Sequence, residues 1–304
     1  MANLQHYDTG MKARPSWEIW ERPLHAPRPS AAGGLVVASS HAACPERAVA
    51  EIAAAIEGRA LAGGVIFCSS TYPRDTLAAA IGAHLGHIPL AGCTSAGEIT
   101  GRGYDADSLL FMGFPAEGFT FRVLHVSDID SFDPEDARRQ VRHLAANARH
   151  EARVLGENAS QVALFLVDGL SHREELLTMT VQDALGDIPL IGGSSGDGLL
   201  FSETGVLCDG TFRSGTAAII MLTSARPMQV HSECFYEPGP AKMVVTAADP
   251  ERRIVHEINA APAADEYRRL AGAPGAELDT AFFAAHPPMV RAGGVYHVRA
   301  IQTA

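Results

Sequence analysis

The chain holds five cysteines, Cys44, Cys68, Cys93, Cys208 and Cys234, an odd number with no C-x-x-C among them. Such spacing supports neither a disulfide framework nor a zinc cluster, and it suits a reducing compartment. Long apolar runs are missing too. GVIFC (64–68), VALFLV (162–167) and TAAIIML (216–222) fall far short of the roughly 20 residues that span a bilayer, so they are expected as buried strands. Basic residues are scarce: 24 Lys and Arg against 35 Asp and Glu leave a formal charge of −11, which opposes nucleic-acid backbones and anionic membranes as partners. Aromatic residues make up only 7%, too few for a platform that stacks bases. Residues 1–32 mix Pro, His, Trp and charge without periodicity and carry no signal-peptide pattern. They are expected to form a poorly ordered N-terminal arm on a cytoplasmic protein.

What is present is an α/β pattern. LVVAS from Leu35 reads as a strand, and Cys44-Pro45-Glu46 opens an alanine-rich helix that ends at Gly58. Strand GVIFCSS, a loop at Thr71–Arg74 and a helix from Asp75 to about Gly86 follow, then a short strand at 87–91, a glycine loop, and strands 108–114 and 119–126. A helix from Asp133-Pro134 to about Leu155 carries acids early and arginines later, the order a helix dipole favours. After Gly156 the order restarts: strand QVALFLV, loop DGLSHRE, helix ELLTMTVQDALG, strand DIPLI, a second glycine loop, then strands GVLCDG, GTAAIIML and MQVHSECF.

The restart is an internal repeat. Ile88-Pro89-Leu90 matches Ile188-Pro189-Leu190, Gly92 matches Gly192, and Thr94-Ser95 matches Ser194-Ser195 at one constant offset. The expected architecture is therefore α/β, with duplicated β-α-β plus hairpin units forming mixed sheets over 33–225. A smaller α+β C-terminal unit over 226–304 follows, built from KMVVT, IVHEIN, a helix from Pro262 to Leu270, and GGVYHVRAIQ (293–302). That last segment alternates like a strand with nothing after it to pair, so the C-terminal unit reads as cut short.

The glycine loops, 92–98 and 192–198, follow buried strands and place small residues where backbone N–H groups and hydroxyls can line a crevice for a small polar ligand. Gly92, Thr94, Ser95, Gly192, Gly193, Ser194, Ser195 and Asp197 are the candidate ligand-binding residues, set against the plainer reading that the glycines only permit tight turns. Glu98 and Asp197 read better as turn formers than as bases. Residues 192–196 fit G-x-S-x-G, which would make Ser194 a hydrolase nucleophile with Asp209 or Asp249 and His256 or His286. The elbow, however, needs a helix directly after the serine, and none is legible. No lysine follows either loop, so a nucleotide-binding P-loop is not supported. The 13 histidines show no metal-binding spacing, which leaves a metal site undetermined. His231, expected on a strand, and His172, on the loop after strand 162–167, are the candidates to face a pocket and bind a haem, against surface positions for either.

The repeat, Asp168 with the following GLS, IPLIGGSSGD, and VVTAADPERRIVHEINAAPAADEY (244–267) together resemble the FIST sensory family, in its N-terminal and part of its C-terminal portion. The resemblance implies a non-enzymatic bacterial sensory module that binds a small ligand and signals to a histidine kinase or a cyclic-di-GMP enzyme. With no kinase or GGDEF segment in the chain, it is most similar in architecture to the nitric-oxide-sensing haem proteins of that family, which would make haem b the cofactor. Two alternatives stay open beside it: a haem-free receptor for an amino acid or similar metabolite, and a Ser194 hydrolase. Self-association is left open as well.

Overall fold

A computed structural model describes residues 34–304 except 172, 199 and 251; the expected arm over 1–32 lies outside the described residues. The chain divides into two compact units, one running to Val230 and the other from His231 to Ala304.

In the first unit the repeat is visible element by element. The first copy runs β1 (Val36–Ser40), α1 (Pro45–Ala55), β2 (Leu61–Ser69), α2 (Arg74–Leu85), β3 (Leu90–Ser95), the hairpin β4 (Glu98–Thr100) and β5 (Gly103–Asp105), then β6 (Leu109–Pro115). The second runs β7 (Phe119–Val126), α3 (Pro134–Leu155), β8 (Ser160–Val167), α4 (Glu174–Leu185), β9 (Leu190–Ser194), the hairpin β10 (Val206–Cys208) and β11 (Thr211–Arg213), then β12 (Ala217–Ser224). Each copy builds one mixed sheet in the same order: β1-β6-β2-β3 and β7-β12-β8-β9, with β2 parallel to β3 and β8 parallel to β9.

Alternation along the central strands divides the core into layers. Ile66 of β2 faces α1 and α2 together with Ile52, Leu77 and Ile81, while its neighbour Val65 faces the other sheet with Phe121 and Ile220. Ile219 and Met221 of β12 face α3 and α4, whereas Ala218, Ile220 and Leu222 face the first sheet. The result is a helix–sheet–sheet–helix sandwich, and both sheets are covered on both faces. All eight residues of β12 are buried, which is why it reads as a continuous apolar run. Each fully buried Ile or Leu here contributes roughly 1.5–3 kcal/mol.

The helices begin where the sequence marks them. Asp133 accepts a hydrogen bond from the Glu135 backbone at the start of α3, and Pro134 fills the first turn, where its missing N–H costs nothing. The expected short strand at 87–91 starts later, at Leu90, and runs on through the glycine motif to Ser95. Likewise β9 includes Gly192 and Gly193.

The second unit holds β13 (Val245–Asp249), β14 (Ile254–Ile258) and β15 (Ala261–Pro262) in one antiparallel sheet. It continues with α5 (Ala263–Leu270), α6 (Thr280–Ala285) and the hairpin of β16 (Met289–Ala292) with β17 (Val295–Val298). Its core is small: Ile258, Tyr267 and Phe283. Two expectations change here. MQVHSECF forms no strand, since 227–244 holds Pro227, Pro238 and Pro240, which cannot donate to a ladder, and Phe235 is 87% exposed with nothing to bury it. The terminal strand does find a partner, but in the preceding segment: Gly293 and Gly294, both at positive φ, make the two-residue turn that folds β17 back on β16.

Candidate functional site

Both glycine motifs lie inside parallel pairs, and the reason is steric. A Cβ on Gly92 would sit 2.2 Å from the Ile66 carbonyl oxygen, and one on Gly192, at φ +154, would sit 1.8 Å from that of Phe165. These glycines let neighbouring strands approach, so they do not open a backbone nest for a ligand. The two motifs nonetheless meet. Gly196 donates its N–H to the Thr94 carbonyl at 3.0 Å, and the Thr94 N–H reaches the Gly205 carbonyl at 2.9 Å. The Thr94 hydroxyl accepts from the Gly205 N–H at 3.1 Å.

A cleft of about 300 Å³ opens beside this junction, at the carboxyl ends of β2 and β3. Its walls are Ser70, Thr71, Tyr72 and Pro73 from the β2–α2 loop, Arg74 at the first position of α2, Thr94, and Asp197, Leu200, Ser202 and Glu203 from the segment between β9 and β10. Of the eight expected ligand-binding residues, Thr94 and Asp197 line the cleft. Ser95 is tied to Glu98 at 2.5 Å. Ser195 is buried, where its hydroxyl accepts from the Gly169 N–H at 3.2 Å. Gly92 is buried in its strand, and Gly192, Gly193 and Ser194 lie exposed on β9.

Asp197 is committed to the fold. Its carboxylate accepts from the backbone N–H groups of Phe201, Ser202 and Glu203 at 3.0, 2.7 and 2.9 Å, clamping the cleft wall. Glu98 is held in the same manner by the hydroxyls of Ser95 and Ser108, both at 2.5 Å. Arg74 is the cation of the cleft: it donates to the Thr204 carbonyl at 3.1 Å and pairs with Glu203. Glu203 is two-thirds exposed, so that pairing is open to exchange with a ligand anion. Tyr72 donates its hydroxyl to the Ala42 carbonyl at 2.8 Å, and burial pushes its phenol up to about 12. Behind the wall, burial also raises the thiols of Cys68 and Cys93, the latter to about 12, so neither supplies a thiolate at neutral pH.

Asp168, at the end of β8, is a buried hub. Its carboxylate accepts from Leu170 N–H at 3.0 Å, from the Thr204 hydroxyl and from Gly215 N–H, joining the DGLS loop to the cleft segment and to the start of β12. Sequence reasoning quoted the DGLS motif but gave Asp168 no role. Arg74, expected at the end of a loop, is the first residue of α2, and a single arginine opening a helix carries no spacing signal.

Ser194 ends a strand, and the chain continues through irregular residues to β10 without the helix a nucleophile elbow requires. His231, expected on a strand, is exposed in irregular chain and lines neither this cleft nor the groove of about 480 Å³ beside α3. It offers an imidazole but no apolar enclosure, so the described residues around it do not fit a haem. His172 lies outside the described residues.

No curated protein matches the chain. Among solved structures, one of a cyanuric acid hydrolase from A. caulinodans is similar at 10% identity and a TM-score of 0.32, over 65% of this chain and 73% of that one. This likeness is too slight to bear on fold or chemistry. The model of the FIST N domain matches residues 62–261, from β2 through β14 to the start of β15, and so includes the start of the VVTAADPERRIVHEIN segment's small sheet. With well over half of its length matched, the chain belongs to the FIST family.

Proposed function

We infer that this chain is the ligand-sensing part of a bacterial signalling system, and that its ligand is a compact polar metabolite bearing a carboxylate, of about amino-acid size. Membership of the FIST family supports small-ligand sensing, and the observation that carries the ligand class is Arg74. It is a guanidinium on the cleft wall whose present acidic partner, Glu203, is mostly in solvent. Guanidinium and carboxylate match as a fork, and hydroxyls of Ser70, Thr71 and Ser202 surround the position where the rest of such a ligand would lie. A volume of about 300 Å³ is at the small end for ligand pockets, which suits an amino acid rather than a tetrapyrrole. Occupancy would shift the cleft wall held by Asp197, next to the junction of the two glycine motifs, and a separate histidine kinase or cyclic-di-GMP enzyme would read the change.

The test is a melting screen of the intact chain against amino acids and related carboxylates. A true ligand at 100 times its dissociation constant adds about 2.7 kcal/mol, and Arg74→Ala removes that gain. Arg74→Lys keeps the charge but loses the fork and should recover only part of it. A panel that shifts nothing, or a shift that survives Arg74→Ala, overturns this reading. Haemin titration separates it from a nitric-oxide-sensing haem form: a saturable Soret band that moves on adding nitric oxide would transfer the function to haem.

A further inference from the structure

His125 of β7, Cys208 at the end of β10 and Asp209 in the following turn, none of them a residue of the cleft lining, come together on the sandwich. One donor atom from each lies within 4.8 Å of the others, and among the described residues they form the one such group of three. Asp209 and Gly210 have φ of +49 and +79, the pair of left-handed residues a two-residue β-hairpin turn requires. That turn explains an Asp-Gly pair by itself. It does not explain the histidine, which arrives from the other sheet, on a strand paired with β12 at Ala218.

The imidazole is poorly satisfied where it stands. Its Nδ1 is 3.5 Å from Asp209 Oδ1, beyond a good hydrogen bond, and its Nε2 is buried without a hydrogen-bond partner among the described residues. Nδ1 is the ring nitrogen turned toward Asp209 and is therefore the one placed to hold an ion there. The Cys208 thiol points to the Asp209 carboxylate at 3.7 Å, and a bound cation would take the place of its proton. Arg213, held by Thr211 at 3.1 Å, is the nearby opposing charge.

We propose that His125, Cys208 and Asp209 bind one borderline-soft divalent cation of the zinc class. Tetrahedral ligands held at roughly 2.0–2.3 Å from one ion lie about 3.3–3.8 Å apart. Asp209 already stands 3.5 Å from His125 Nδ1 and 3.7 Å from Cys208 Sγ, while the widest pair of donors, within 4.8 Å, would close by up to about 1 Å. One imidazole, one thiolate and one carboxylate make a three-ligand set that leaves a fourth position for water or a small ligand. The ion would bridge β7 of the second sheet and β10 of the first. The donors come from positions 125, 208 and 209, which is why no sequence spacing reveals them.

Cobalt(II) is the probe, added to chelator-treated intact chain carrying Cys44→Ser and Cys234→Ser, which remove the two exposed thiols. One equivalent of cobalt with a thiolate charge-transfer band is expected. Cys208→Ser should abolish the band, and Asp209→Asn, an exposed change that keeps a turn-compatible residue, should weaken binding at least ~10-fold at an unchanged apo melting temperature. A band that persists in Cys208→Ser, unaltered affinity in Asp209→Asn, or no saturable binding at one equivalent overturns the proposal. If Cys208→Ser fails to fold, Asp209→Asn decides alone.

Discussion

The two copies of the repeat share eight elements in one order, yet their third strands differ. β3 is hydrogen-bonded on both edges, to β2 and to β10, while β9 pairs with β8 alone. The cause is the hairpin after each: β10–β11, which follows β9, crosses to join the first sheet, whereas β4–β5, which follows β3, forms a two-stranded sheet of its own. The crossing segment 195–205 is thereby laid over the carboxyl ends of β2 and β3, and the cleft lies there. The asymmetry of one hairpin, rather than the duplicated glycines, decides where the cleft opens.

Substitution at the matched glycines should give the largest effects. Gly192→Ala would put its Cβ only 1.8 Å from a backbone oxygen at a positive φ, and is expected to cost about 3 kcal/mol or more by urea denaturation. Gly92→Ala would put its Cβ 2.2 Å from a backbone oxygen without the unfavourable φ and should cost about 1–3 kcal/mol. Gly193→Ala, with nothing within 4 Å of the added carbon, should stay within about 0.5 kcal/mol. If Gly192→Ala proves cheaper than Gly92→Ala, the open edge of β9 yields outward, and the asymmetry is mechanical as well as topological.

The ends of the second strands offer a milder contrast. Asp168 ends β8 as a carboxylate shared by three donors, whereas Ser69 ends β2 with a hydroxyl 3.0 Å from that of Thr71 and 3.4 Å from Asp107. Asp168→Asn, which replaces a charged acceptor and brings a donor among donors, should cost about 1.5–3 kcal/mol and loosen the cleft wall through Thr204. Ser69→Ala should cost about 0.5–1.5 kcal/mol. Equal losses would mean that the hub at Asp168 has no special part in joining the copies.

Most of the fold is legible in the sequence because its elements are marked locally. Pro45 and Asp133-Pro134 open helices, Gly58 and Gly156 follow their ends at positive φ, and the central apolar strand β12 is buried on both faces. The constant offset between Ile88 and Ile188 exposes the repeat before any coordinates. The site is less legible, because its groups meet only through tertiary structure. Arg74 reaches Thr204 across 130 positions, and Thr94 holds Gly205 across 111. Strand membership of Gly92 and Gly192 was hidden for a related reason. A glycine required by close strand approach looks, in sequence, the same as a glycine required by a turn. MQVHSECF failed in the opposite direction, since its alternation had no partner strand and no core to face.

The smallest effect separates the copies at the first loop residue that matters to the cleft. Tyr72 of the first copy, buried and bonded to Ala42, has no aromatic counterpart in the DGLS loop, where Ser171 bonds to the Asp168 carbonyl. With the folded-state phenol raised from 10 to about 12, the folded chain retains a proton that the unfolded chain releases above pH 10. The contribution of Tyr72 to stability is therefore complete below pH 10 and is lost as pH rises toward 12. Tyr72→Phe should cost about 1 kcal/mol at neutral pH through the lost hydrogen bond, and should flatten the fall in stability between pH 10 and 12. Ser171→Ala should lower neutral stability by a similar amount with an unchanged alkaline slope. Parallel slopes for wild type and Tyr72→Phe would show that the phenol ionises freely, and that the first copy's cleft wall is looser than its packing indicates.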